Sequence, residues 1–158
     1  MKSKPVAASE IEAPQNKTIY PAPFAHVVNG RSKRKIGEAF GLTNFGVNFT
    51  TLAPGAASAL PHHHSKQDEF IYIVNGTATL KLGHDEFIMH KGDCMGFKAG
   101  TGLAHQLSNQ SALPVTYLEI GDRTEGDEVD YPFDDLKATQ LADGVWSLTH
   151  KNGSPYTS

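Results

Sequence analysis

Between residues 45 and 120 the chain is cut into short runs of alternating apolar and polar residues, with turn-forming residues between them. That punctuation constrains the fold more than any other feature. Phe45, Val47, Phe49 and Thr51 alternate with smaller or polar residues, and Ala53-Pro54-Gly55 then stops the run. Glu69 to Val74 reads as a strand, ended by Asn75-Gly76, a dipeptide that predicts a hairpin between two β runs. Thr77 to Leu82 alternates up to Gly83, and Asp85 to His90 is closed by Lys91-Gly92-Asp93. Cys94 to Phe97, His105 to Ser108 and Val115 to Ile120 complete the series. Strands recurring about every 8–12 residues with turns between them are the pattern of an all-β sandwich or barrel.

The rest of the chain reads as additions to this core. Residues 1–25 hold four prolines and few large apolar side chains, and are read as an extended or disordered N-terminal arm. Residues 26–158 then form a single domain. The basic run Arg31 to Lys35 could receive a phosphate, but a short charge run more often marks a solvated loop. Asp122, Glu125, Asp127, Glu128 and Asp130 are read as an acidic solvated loop, and Asp134 to Leu141 as a turn or two of helix. Val145 to His150 reads as a late strand that packs Trp146 on the barrel.

Charge and composition exclude several functions. A net charge of −3 gives no footprint for nucleic acid and no basic face for a membrane. The longest strongly apolar run, Phe70 to Val74, cannot span a bilayer. The N-terminus has no secretory h-region, and a single cysteine excludes an internal disulfide, so cytoplasmic residence is expected. Cys94 itself is expected to be a small buried hydrophobe.

Three consecutive histidines carry the chemistry. On a strand, His62 and His64 share a face and His63 points away. Two imidazoles so placed can chelate one ion, and Glu69, opening the next strand, can bring a carboxylate to it. The remaining histidines, 26, 84, 90 and 150, have no partner at ligand spacing and are read as structural.

The spacing resembles the two motifs of the cupin superfamily. Gly55, His62-x-His64, Glu69 and Gly76 match the first, with one extra residue after Gly55. Gly92, Gly100, His105 and Asn109 resemble the second, with Lys98 where proline is usual and a loop two residues longer before His105. The resemblance covers residues 44–121. It implies a double-stranded β-helix, the cupin jelly roll, with an N-terminal arm and a short C-terminal extension. It also implies that His62, His64, Glu69 and His105 hold one divalent transition metal per chain (Mn, Fe, Ni, Co or Zn). The sequence is similar, too, to bacterial cupins of this length that carry sugar-phosphate-isomerase-like labels, with matching stretches such as GLTNFGVN and YLEIGDR.

The expected function is that of a metal-dependent enzyme acting on a small carbonyl, sugar or carboxylate, isomerase-like or dioxygenase-like. The alternative is a non-catalytic small-molecule-binding module. An isomerase needs a base beside the metal, and no second core carboxylate is visible, since Asp68 faces away from Glu69. Candidate pocket residues are Asn48, Thr50, Phe97, Leu107 and Asn109. Both faces of the strand Phe70 to Val74 are apolar, so it is expected to be covered on both sides by the arm or by a second subunit in a homodimer.

Overall fold

A computed structural model describes residues 2–14 and 18–156; residues 1 and 15–17 of the predicted arm lie outside it. Its strands, in chain order, are β1 (Arg31–Arg34), β2 (Phe45–Leu52), β3 (His63–His64), β4 (Glu69–Asn75), β5 (Thr77–Leu82) and β6 (Asp85–His90). They continue with β7 (Cys94–Phe97), β8 (His105–Ser108), β9 (Val115–Asp122), β10 (Glu128–Tyr131), β11 (Leu136–Gln140) and β12 (Trp146–Thr149). Each paired ladder is antiparallel.

A five-stranded sheet runs β1-β2-β9-β4-β7. Against it stand a three-stranded sheet, β6-β5-β8, and a four-stranded sheet, β12-β11-β10-β3. A backbone bridge between His62 and His105 joins these two smaller sheets. The main core fills the space between layers: Leu52, Ile71, Ile73, Val115 and Tyr117 from the large sheet meet Ala78, Leu80, Met89 and Leu107. This is the jelly roll, two apolar faces burying each other.

Asn75-Gly76 does not make the predicted hairpin. β4 pairs with β7 and β9, whereas β5 pairs with β6 and β8, so the chain changes sheets at this point. The register of β4 on β9 shifts between Ile73 and Asn75, a bulge that bends the strand away. Gly76 takes φ +88°, and a Cβ there would stand 2.8 Å from the Pro114 carbonyl oxygen, so the corner admits only glycine. The true two-residue hairpin is Gly83-His84, between β5 and β6.

Three further expectations are corrected. The basic run is strand β1, paired along β2, rather than a solvated loop. Asp134 to Leu141 contains β11, because Leu136 and Ala138 alternate into a second apolar cluster with Leu60, Val129 and Tyr131. Cys94 is exposed, since it lies opposite Tyr72 on the outer face of the large sheet. Tyr20 and Phe24, within the predicted arm, and Val27, just beyond it, pack on the second cluster with Trp146. The outer face of β4 stays open within the chain, with Phe70 38% and Tyr72 41% exposed. No helix among the described residues is long and apolar enough to cross a membrane.

Candidate metal centre

His62 and His105 face each other directly, each backbone amide donating to the other's carbonyl oxygen (3.1 and 2.9 Å). Directly paired residues project their side chains to the same side of a sheet. Glu69 approaches from the large sheet, where it opens β4 opposite Gly121 and Phe97. The Nε2 atoms of His105, His64 and His62 lie 2.9, 3.5 and 3.6 Å from Glu69 Oε2. The ligating atoms of His62, Glu69 and His105 all lie within 4.8 Å of one another. His63 turns away, its Nε2 3.6 Å from an Asp130 carboxylate oxygen.

The ring nitrogens facing away fix two of the tautomers. His62 Nδ1 donates to the Leu60 carbonyl oxygen (2.8 Å), which leaves Nε2 with its lone pair. His64 Nδ1 bonds the Asp127 carboxylate at 2.5 Å. A carboxylate behind an imidazole in this way orients the ring and raises its basicity toward a metal. Asp127 is fully buried and also accepts from Ser65 Oγ and the Lys66 amide. The His105 ring is held instead by stacking on Phe97, 3.7 Å between centroids and 5° between planes.

Charge in this cluster is not settled by hydrogen bonds. Glu69 Oε2 is buried without a hydrogen-bond partner among the described residues, and the 2.9 Å approach of His105 lacks hydrogen-bond geometry. His105 Nδ1 is likewise buried and unpartnered. Burial would push the Glu69 carboxyl up, but the His105 and His62 rings outweigh it and hold it well below the usual range. Burial pulls the two imidazoles down. Glu69 and the Leu60 carbonyl overcome that at His62, which ends raised, whereas His105 ends lowered. A buried anion ringed by imidazole nitrogens is a set that a divalent cation fits, and N/O donors without thiolate suit Mn, Fe, Co, Ni or Zn.

The cluster lies in a cavity of about 410 Å³. Asn48, Phe97 and Leu107 line it. Thr50 and Asn109 stand outside the lining. Thr50 is fully buried below it, and Asn109 pins a loop by donating to the Leu52 and Leu113 carbonyls while accepting from Ser111.

Two residues that sequence reasoning missed are acidic. Asp127 belonged to the segment read as solvated. Glu119 is the second carboxylate, on the cavity face of β9 opposite Asn48 and Ile71. It accepts from Lys33 Nζ (2.7 Å) and Asn48 Nδ2 (3.0 Å). Burial would raise its carboxyl, but Lys33 overcomes this and holds it low. The parity of Val115, Tyr117 and Glu119 on one strand was the available signal for Glu119.

A family model described as a cupin domain matches residues 48–121. The crystal structure of a sugar phosphate isomerase from a cupin superfamily, from Silicibacter pomeroyi, is 37% identical, covers 98% of both chains and superposes with a TM-score of 0.90. A structure from Acidithiobacillus ferrooxidans, provisionally assigned as a sugar phosphate isomerase, is 29% identical over 81% of each chain, with a TM-score of 0.71. The polyketide cyclase RemF from Streptomyces resistomycificus shares the fold alone, at 16% identity over 77% of this chain and 80% of its own, with a TM-score of 0.61. No curated protein matches in sequence.

Proposed function

The chain belongs to the cupin superfamily, and from that premise we propose that it is a metal-dependent enzyme that isomerises a small carbonyl or sugar substrate. The observation that carries this reading is the convergence of three imidazole Nε2 atoms on one oxygen of Glu69 inside one cavity. His62, His64, Glu69 and His105 would hold one divalent transition metal. Such an ion supplies Lewis acidity toward a substrate carbonyl or hydroxyl.

Glu119 favours isomerisation over dioxygenation. Moving a proton between adjacent carbons requires a base within reach of the substrate. Glu119 lines the same cavity, its carboxylate kept ionised by Lys33 and steadied by Asn48. On β4 the residue opposite Glu119 is Ile71, two positions from Glu69, so the two carboxylates are diagonal neighbours. The names borne by the two similar structures point the same way.

Two measurements test this. Metal analysis of purified protein should find stoichiometric ion that His62→Ala loses; protein without it sinks the metal reading. Incubation with hydroxy-carbonyl sugars in D₂O should then incorporate solvent deuterium, and Glu119→Gln should abolish incorporation while retaining metal.

Assembly as a homodimer is part of the proposal. Phe45, Phe70 and Tyr72 stand exposed on the outer face of the large sheet, and a second copy is the occupant that would cover them. A stable monomer in sedimentation at micromolar concentration would sink this part alone.

A further inference from the structure

Arg31 enters the cavity from β1. It pairs with Leu52, one of the inward-facing residues of β2, and so shares the inner face of the sheet with Lys33. Both side chains line the cavity. Their electrostatic situations differ. Lys33 is neutralised by Glu119 at 2.7 Å. Two other cations at the cavity, Lys35 and Arg123, share Glu38. Arg31 has no carboxylate within 4.0 Å among the described residues.

Its hydrogen bonding is equally incomplete. One terminal nitrogen donates to the Ser58 carbonyl oxygen, which ties the guanidinium in place. A guanidinium has five N–H donors, and the other four have no protein acceptor among the described residues. The neighbouring lining groups include the phenols of Tyr20 and Tyr117, both close enough to feel the Arg31 charge. A half-buried, fixed and ion-unpaired arginine facing a ligand-sized cavity is a fork for an oxyanion.

We propose that Arg31 is the specificity residue that binds the anionic group of the substrate, a phosphomonoester or carboxylate, while the histidine cluster receives the substrate's carbonyl end. This rests on the proposed function for the second half of that statement; the role of Arg31 itself does not require a metal. An oxyanion accepting two parallel N–H bonds from Arg31 would satisfy donors that the protein leaves open. It would also compensate the one cavity cation that, among the described residues, has no carboxylate beside it.

The test uses the full-length chain, as purified and after removal of metal by chelation, titrated with inorganic phosphate and separately with acetate. In the metal-free chain, phosphate should bind and should shift the Arg31 Nε–H resonance. Arg31→Met should weaken phosphate binding by at least about tenfold, the loss expected for a charge-assisted pair. Arg31→Lys, which keeps the charge but not the fork, should fall between the two. Tighter binding of phosphate than acetate assigns a phosphomonoester, and the reverse assigns a carboxylate. An Arg31 resonance that stays still during the titration, or an Arg31→Met protein with wild-type affinity, overturns the proposal. Metal content is scored separately. Loss of the metal reading with a persistent Arg31 effect, or the converse, tells the two failures apart.

Discussion

Glu69 and Glu119 are near-equals in setting and opposites in partnership. Their side chains keep 18% and 17% exposure, both face one cavity, and both carboxyls are held below their ordinary range. Around Glu69 stand three imidazoles; beside Glu119 stands an ammonium. An imidazole can be neutral at physiological pH, so it cannot be relied on to balance a buried anion. Lys33 brings its own charge and donates a hydrogen bond. Glu119 is therefore complete within the chain, whereas Glu69 keeps an oxygen without a hydrogen-bond partner among the described residues. The difference teaches that equal burial of two carboxylates implies opposite needs: Glu119 has a fixed counter-charge within the chain, and Glu69 has only imidazoles around it.

The hardest blow to this contrast is His105→Ala. It removes the imidazole that approaches Glu69 most closely, at 2.9 Å. Bound metal should fall from stoichiometric to a trace by elemental analysis, with the fold intact by circular dichroism. If metal stays stoichiometric, Glu69 and its histidines are not its seat.

Asp127→Asn should act on the same side through His64. The amide keeps one acceptor oxygen where the carboxylate has two, so either His64 Nδ1 or the Ser65 and Lys66 donors then face an N–H group. Metal affinity, read by competition with a chelator, should fall about 10- to 100-fold, and Ser65 and the Lys66 amide lose their charged acceptor. Unchanged affinity would show that Asp127 serves the loop alone.

These residues differ in how visibly the sequence announces them. His62, His64, Glu69 and His105 are legible because their spacing matches two strand-and-turn motifs, and parity alone puts His63 outside. Asp127 and Glu119 carry no such spacing. Asp127 sits among five acidic residues whose composition reads as solvated, and only the pairing of β10 with β3 turns it toward His64. Glu119 meets Lys33 across 86 positions of chain, through two ladders that sequence periodicity does not order. For the same reason the strands were legible but the Asn75-Gly76 corner was not. Local residues specify a tight turn, whereas which sheet receives the next strand depends on the core beneath.

Glu119→Gln tests the complete side of the comparison. Gln keeps an acceptor for Asn48 but leaves Lys33 without its anion, a loss of about 1–2 kcal/mol for a partly buried charged hydrogen bond. The folded carboxyl lies below its unfolded value, so this stability is present above about pH 4.3 and is lost as pH falls through the folded pKa. Urea midpoints should separate wild type from variant at pH 6–8 and converge in acid. Parallel curves at every pH would mean that Lys33 does not set the charge of Glu119.

Thr50→Val should have the smallest effect. Thr50 is fully buried beneath the cavity, opposite Tyr117 on β9. Its hydroxyl has no partner of hydrogen-bond geometry among the described residues, although the Tyr117 phenol is close enough to feel it. Burying a hydroxyl without a partner costs free energy, so a methyl in its place should leave stability unchanged or raise it by up to ~1 kcal/mol. Metal content and phosphate affinity should not move, because Thr50 lines neither carboxylate's side of the cavity. A destabilisation above ~1 kcal/mol would instead make Thr50 a working partner of Tyr117. The Glu119 side would then be held from below as well as by Lys33 and Asn48.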